Sequence, residues 1–488
     1  MIMEKNNKIY WIYIGIIFLF LCLLTLLTNY YGSTDIASFA SPAKYFAGDY
    51  QAKIRSSHSY LWGFINFPLV KLFNNLIGFK ILNLIILGIL IYSIYYISKK
   101  DKRALFLTLL SPIIWYMAPW INSIQIASLF FLWNYYFIEK YNKTNKIKYL
   151  FYSGIFLGLS ISFWHAIFFL GAFYLIIFLY NKPLSHFFYY ILFILSGLIP
   201  LMALDFYLFG FPFHSLIKNI SGTILNNLGF GVYSDIRAIP KTLSVLLSFL
   251  LIIPVYFWVL LKKENFKKNK KIIIFLIGTI LILLHNPQIR YLLLLVPIMI
   301  LILIKTLNKN QIKKLIIIST IISLIIIIPY EIQIKYPTTN LEEFTLLIKN
   351  FPSFNISLEN KDTIINQDLI QISKEYPNEI FLVGNNPDDY HRLADIYWGD
   401  NIKEFISIQD YNLYLKNSST LVERTIRFSP LRINGRREFW ISGGIGKPIN
   451  DNTEYDKIDY AISLQGNFSL SEFNLIKKYE ILYLYERV

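Results

Sequence analysis

The chain has 488 residues, of which 55% are apolar, with a mean hydropathy of +0.46 and a formal charge of +16. A water-soluble globule of this length rarely carries so apolar a composition, so the chain reads as a membrane protein. Its single cysteine, Cys22, lies inside the first apolar run, which excludes a disulfide-stapled fold.

Apolar segments of roughly 15 to 22 residues, the length that crosses ~30 Å of hydrocarbon as a helix, recur through the first two-thirds. They lie near 9–29, 78–97, 104–118, 122–138, 149–164, 167–180, 187–206, 239–261, 272–284, 291–304 and 315–330, predicting about 11 spans. The pair between 149 and 180 is short, and reads either as two tilted helices or as one span with a re-entrant piece; the segment 60–73 can lie on the membrane surface. The first run has a basic start but continues for ~20 residues without a small-x-small exit, so it is expected to be a retained anchor.

Lysine and arginine near span ends are retained in the cytoplasm. Alternate connections carry Lys5 and Lys8, then Lys99 to Arg103, then Lys140 to Lys148, Lys182, the run "KKENFKKNKK" at 262–271, and Lys305 to Lys314. This pattern predicts a cytoplasmic N-terminus, outward loops at 30–59, 207–238 and 285–290, and an extracytoplasmic tail. A multi-pass plasma-membrane protein is expected.

Composition shifts near residue 331. The tail carries 17 Lys plus Arg against 23 Asp plus Glu, a net of −6, which leaves +22 of the total +16 to the residues before it. The basic balance therefore reflects topology and contact with the lipid bilayer, and no nucleic-acid partner is expected. Residues 331–488 are long enough for one soluble domain. Short β-rich runs, "EIFLVG" (379–384), "EFISI" (404–408), "EFWIS" (438–442), "DYAIS" (459–463) and "YEILYLYER" (479–487), alternate with polar helical stretches. The fold class expected is a polytopic α-helical membrane domain, 1–330, with a C-terminal extracytoplasmic α/β domain, 331–488. "GGIG" at 443–446 lacks dinucleotide-loop spacing and reads as a loop.

There is no Walker loop, no Cys/His metal cluster and no Gly-x-Ser-x-Gly elbow, so chemistry must come from polar groups at the membrane boundary. Before residue 331 only eight acids occur, and Asp35, Asp49, Asp205 and Asp235 map to the outer side. His58, His165, His214 and His285 map there too, with Arg55, Arg237 and Arg290. These residues predict a polar pocket at the outer leaflet.

The loop at 30–62 begins with Asp35 just past the first span. A partly desolvated carboxylate there can act as a general base on a hydroxyl, or it can simply cap the helix that follows. "KIRSSHSYLWG" sets Arg55, His58, Tyr60 and Trp62 before the next apolar stretch. Arg can hold a phosphate through paired hydrogen bonds, and Tyr and Trp suit a sugar face or an interfacial belt. "HNPQIR" at 285–290 is a tight turn in which Pro287 ends a helix. His285 and Arg290 would be costly at this depth without a partner or ligand. A phosphate would satisfy both; the alternative is a snorkelling Arg290 and a capping His285.

The pairing of "DIASFASPAKYFAGDY" after the first span with "RYLLLLVP" opening a late span resembles the glycosyltransferase C superfamily, whose members use polyprenyl- or dolichyl-phosphate sugars. "HNPQIRY" is similar to the His-Lys-Glu-x-Arg-Phe motif of dolichyl-phosphate-mannose-dependent mannosyltransferases, with Asn286 and Pro287 in place of the Lys and Glu. "KKYEILYLYERV" looks like the last strand of the soluble domain many members carry.

The resemblance implies a lipid-phosphate sugar donor, possible mannose transfer, and an acceptor hydroxyl on a lipid-linked glycan, glycolipid or protein. It makes Asp35 the catalytic base of an inverting displacement. Arg290 and Tyr291, with His285, His165, Arg55, His58 and Tyr60, would bind substrate and stabilise the leaving phosphate. No metal cofactor is expected, the alternative being a divalent cation held by Asp35 with Asp49 or Asp235. A transporter or flippase of lipid-linked sugars and an oligosaccharyltransferase-like enzyme are the rival readings.

Overall fold

The computed structural model describes residues 2–27, 37–48, 60–73, 76–180, 182–217, 219–220, 263–285, 289–327, 331–337, 343–349, 361–383, 404–408, 411–412, 426–427, 440–441, 457–464 and 470–488. They fall into two compact units. One comprises Met1–Tyr31, Phe79–Phe213 and Ile236–Ile356; the other comprises Gly32–Gly78, His214–Asp235 and Ser357–Val488.

In chain order the helices are α1 (Ile2–Leu27), α2 (Ala37–Ala47), α3 (Tyr60–Phe73), α4 (Ile77–Ile97), α5 (Lys102–Leu109), α6 (Pro112–Met117), α7 (Ile124–Thr144), α8 (Ile147–Phe163), α9 (Ile167–Leu179) and α10 (Leu184–Phe209). There follow α11 (Lys263–His285), a 3-10 turn (Ile289–Leu294), α12 (Val296–Thr306), α13 (Lys309–Ile327) and, near the C-terminus, α14 (Lys361–Glu375).

Among the described residues, three stretches are long and apolar enough to cross a membrane: Tyr10–Leu27, Ile77–Ile97 and Leu184–Leu208. The expected run at 104–118 is not one helix. Pro112 lacks an N–H and cannot continue α5, so it opens the short α6 instead. The 149–180 region forms two helices, α8 and α9, separated at residues 164–166. The late run at 291–304 starts as the 3-10 turn and becomes α-helical only at Val296. Residues 239–261 lie outside the described ones.

α1 and α4 run antiparallel. Trp11 meets Tyr95 edge-on at 5.5 Å near one end, and Lys80 Nζ donates to the Thr25 carbonyl at 3.2 Å near the other. α8 and α10 approach more closely still, because Gly158 faces Gly197 and Gly154 faces Phe193. A Cβ at Gly158 would lie 2.2 Å from the Ile194 carbonyl, and one at Gly197 would lie 2.3 Å from that of Ile155. Small residues four apart let membrane helices touch along their backbones. Ser162, one turn beyond Gly158, returns its hydroxyl to the Gly158 carbonyl at 2.9 Å.

Halfway along α7, a polar knot ties three helices. Ser153 of α8 donates to Asn134 Oδ1 at 2.6 Å, Tyr190 of α10 donates to the same oxygen at 2.8 Å, and the two hydroxyls lie 3.1 Å apart. All three residues are fully buried. The Asn134 Oδ1 and both hydroxyls find partners inside the bundle, as an apolar surround favours, while the buried Asn134 Nδ2 has none among the described residues.

In the other unit, α2 and α3 pack at Gly63, where a Cβ would meet Pro42 at 2.7 Å and the Phe39 carbonyl at 2.8 Å. The C-terminal region forms a five-stranded mixed sheet in the order β4-β3-β7-β9-β8. Its strands are β3 (Ile380–Val383), β4 (Glu404–Ser407), β7 (Tyr460–Ser463), β8 (Phe473–Lys478) and β9 (Tyr483–Arg487). β3 pairs parallel with β4 and β7, while β9 pairs antiparallel with β7 and β8. α14 covers one face, with Ile365, Leu369 and Ile372 packed on Phe381, Val383 and Leu484. A further strand pair in this unit is β5 (Ile426–Arg427) with β6 (Trp440–Ile441), whereas β1 (Glu331–Pro337) pairs with β2 (Glu343–Lys349) in the first unit.

Four of the five β-rich runs read from the sequence thus become strands of one sheet, and the fifth, at 438–442, supplies β6. The "GGIG" segment lies outside the described residues.

Candidate functional site

Arg290 is the second residue of the 3-10 turn and is 6% exposed. Its guanidinium carbon sits 5.2 Å from the centroid of the Trp164 ring and 5.8 Å from that of Tyr291. The two rings themselves meet at 5.5 Å and 64°. A cation over aromatic faces gains electrostatic energy that grows as water is excluded.

The partners come from different elements. Trp164 follows α8, where an extended backbone ends the helix. Its position is fixed by Ser123, just before α7, whose hydroxyl donates to the Phe163 carbonyl at 2.8 Å. Next to Ser123, Asn122 accepts the Ile124 N–H at 2.8 Å. Gln125 then donates to the Met117 carbonyl at 3.0 Å, so the 118–123 connection is held by side chains at both ends. That connection carries Trp120, which lies 5.6 Å from Tyr116.

The same end of the bundle gathers more polar groups. Asn83 of α4 donates to the Trp120 carbonyl at 2.7 Å. One turn earlier, Lys80 is 1% exposed and holds the last turn of α1. His165 is 4% exposed beside Trp164, and Asp205 near the end of α10 is fully buried. Ionisable side chains at the end of apolar helices are costly unless paired, and they mark ligand sites more often than packing.

Of the residues expected from the sequence, Arg290 and Tyr291 meet Trp164, and His165 follows Trp164 in the chain and is buried. Tyr60 opens α3 in the other unit, where it is fully buried. His285 ends α11, as the turn chemistry of Pro287 predicted, and its side chain lies outside the described residues. Asp35, Arg55 and His58 also lie outside them, as do Asp49 and Asp235, the alternative metal ligands. Among the described residues no group of three or more His, Cys, Asp or Glu is placed to hold a metal ion.

Lys80, Asn83, Trp120, Gln125 and Trp164 were not singled out by reading the sequence. The signal was present for two of them: "IGFKILNLIIL" interrupts an otherwise apolar run with Lys80 and Asn83, three residues apart. Trp120 and Trp164 had none, because a tryptophan at a span end reads as an interfacial anchor.

The Arg290 guanidinium thus sits beside two aromatic rings. A planar fork placed this way recognises a phosphate or carboxylate through parallel hydrogen bonds, in surroundings that exclude water. No protein-family model matches the chain, and no curated protein matches it.

Proposed function

We propose that the chain is an integral membrane glycosyltransferase that moves a sugar from a polyprenyl-phosphate donor to a hydroxyl of a lipid-linked glycan, glycolipid or protein. The observation that carries this reading is Arg290, buried beside the Trp164 and Tyr291 rings at one end of an apolar bundle. A lipid phosphate entering from the bilayer is the anion such a site suits best. About eleven spans, a cytoplasmic N-terminus and an extracytoplasmic C-terminal domain in the plasma membrane complete the proposal.

In the reaction, Asp35 takes the proton of the acceptor hydroxyl as its oxygen attacks the anomeric carbon. The bond from that carbon to the donor phosphate oxygen breaks, and the electron pair leaves with the lipid phosphate. Arg290 stabilises the growing negative charge, with His165 and Tyr291 shaping the cavity around it. His285, Arg55, His58 and Tyr60 assist in holding donor and acceptor. Inversion at the sugar follows from the single displacement. The cations can do this work without a metal, and a divalent ion at Asp35 with Asp49 or Asp235 is the variant to test with chelator.

A flippase of lipid-linked sugars is the second reading, favoured by the buried Asn134, Ser153 and Tyr190 knot halfway along α7. Purified protein in liposomes, supplied with radiolabelled polyprenyl-phosphate sugars, lipid-linked acceptors and chelator, separates the two. Sugar transfer by the wild type that disappears in Asp35→Asn supports the transferase; labelled donor crossing the bilayer without transfer replaces it with the flippase.

A further inference from the structure

Two side-chain amides converge on one backbone carbonyl. Asn83 of α4 donates its Nδ2 to the Trp120 carbonyl at 2.7 Å, and Gln125 of α7 donates its Nε2 to the same oxygen at 3.4 Å and to that of Met117 at 3.0 Å. An amide carries its donor and its acceptor on the two arms of one planar fork. With both NH2 groups turned onto the carbonyl, the orientation of each amide is settled, because a flip would set oxygen against oxygen.

What remains is a pair of acceptors. Asn83 Oδ1 and Gln125 Oε1 are buried, each residue being 1% exposed, and among the described residues neither oxygen has a donor. Ser128, three residues after Gln125 and on the same face of α7, is fully buried, and its hydroxyl has no partner among them either. Buried oxygens are costly when no hydrogen reaches them, so three of them from two helices at one end of a bundle point to a ligand that brings hydroxyl hydrogens. A cation would meet the charges of Lys80, one turn before Asn83, and of Arg290, whereas a neutral donor meets no such repulsion.

These oxygens lie close to Arg290. Ser123, two residues before Gln125, donates to the Phe163 carbonyl at 2.8 Å, and the next residue, Trp164, faces the Arg290 guanidinium. Both α6 and α7 pack against the 3-10 turn that carries Arg290. Aromatic surface adjoins the amides: the Trp120 ring lies 5.6 Å from that of Tyr116. A few placed polar groups beside aromatic rings are the usual makings of a small-molecule site.

We propose that Asn83 and Gln125 recognise two adjacent hydroxyls on the sugar of the lipid-phosphate donor, an inference that rests on the transferase reading with the donor phosphate at Arg290. Neighbouring hydroxyls offer two hydrogens at a fixed spacing, one to each oxygen. The pair sets which sugar is accepted, since a sugar lacking either hydroxyl, or holding it on the other face of the ring, leaves a buried acceptor without a donor.

The test measures binding by the full-length protein in detergent micelles, so that neither turnover nor an acceptor is needed. Radiolabelled polyprenyl-phosphate mannose and glucose are compared with polyprenyl phosphate and with analogues of each sugar that lack a single ring hydroxyl. For one of the two sugars, wild type loses about tenfold to a hundredfold in affinity on removal of either of two adjacent hydroxyls, and little on removal of the others. Gln125→Met, similar in volume but without the acceptor, binds the intact sugar and one of those two analogues equally; Asn83→Leu does the same with the other. Each ratio is taken within one protein, so a general loss of affinity in a variant cancels. Equal affinity of wild type for the intact sugars and all their analogues overturns the proposal and leaves the two oxygens to a resident water. Discrimination that survives in both variants overturns it as well. Failure of polyprenyl phosphate itself to bind removes the transferase reading too, whereas its binding without any gain from the sugar removes this inference alone.

Discussion

The guanidinium of Arg290 lies over the indole of Trp164, 5.2 Å from its centroid, although 126 residues separate them in the chain. The contact depends on charge, planarity and the break that ends α8 at residue 164. Lysine keeps the charge and leaves that break untouched, but loses the planar fork. Arg290→Lys is expected to lower sugar transfer about a hundredfold, mainly in kcat, because a fork aimed at a departing phosphate acts most strongly in the transition state. Trp164→Leu, which leaves the charge but removes one of the rings beside it, should lower the proposed transfer by about tenfold. Equal activity of Arg290→Lys and wild type in the liposome assay would remove Arg290 from the chemistry.

The α8 and α10 backbones touch at Gly158 and Gly197, so neither position tolerates bulk. Gly158→Leu is expected to cost about 2 kcal/mol or more, since the Ile194 carbonyl belongs to a helix and cannot step aside. Thermal unfolding in detergent, followed by tryptophan fluorescence, reads this as a lowered midpoint. A substitution on the exposed face, Leu192→Phe, should leave the midpoint where it is.

Within the C-terminal sheet, one carboxylate organises a turn. Asp368 of α14 accepts the backbone N–H groups of Ile481 at 2.8 Å and Leu482 at 2.9 Å, with Glu480 at 3.3 Å. Asp368→Ala orphans these donors between β8 and β9, at a cost of about 3 kcal/mol. Hydrogen exchange should then show residues 479–487 losing protection before α7, α8 and α10 do. Unchanged protection there would mean that the turn holds itself.

Glu375 gives the same sheet a dependence on pH. Hydrogen bonds from Lys477, at 2.7 Å to each carboxylate oxygen, and from Tyr479, also at 2.7 Å, hold its carboxyl below its ordinary value of 4.5. A carboxylate with a depressed value stabilises the fold above its unfolded pKa, and that stabilisation is lost as pH falls through the folded one. The side chain is 34% exposed, so the effect is small. Glu375→Gln should loosen the contact of α14 with β8 at pH 7 and match wild type well below pH 4.5. A mutant effect that persists in acid would assign the contact to packing alone.

α1, α4 and α10 were legible in the sequence because about twenty apolar residues in a row leave a helix few alternatives. β3, β4, β7 and β9 were legible for a similar reason, as short branched and aromatic runs bounded by polar residues. The division of 104–118 at Pro112 was not read, although the proline was visible, because the flanking residues are as apolar as any span. The 3-10 turn around Arg290 was also hidden. Its Leu-rich composition carries no period that separates one helical form from another.

The candidate site was read in part for a related reason. Arg290 and Tyr291 drew attention as polar groups against an apolar ground, and His165 did so as one of few histidines. Lys80 was lost among many lysines because charge at span ends had already been assigned to orientation. Trp120 and Trp164 gain their meaning from Asn83 and Arg290, partners 37 and 126 residues away, which no local pattern encodes.

The turn after α4 carries one more implication. Lys99 and Lys100 both adopt left-handed backbone, with φ of 61° and 63°, closing the helix through bonds from Lys99 N to the Tyr96 carbonyl and from Lys100 N to that of Tyr95. Glycine would sit there with less strain, by about 1 kcal/mol at each position. Two lysines instead give this corner positive charge within a few residues of a membrane-crossing helix, where it biases which side of the bilayer the corner occupies. A glycine pair would make the turn easier to form and the protein easier to insert upside down.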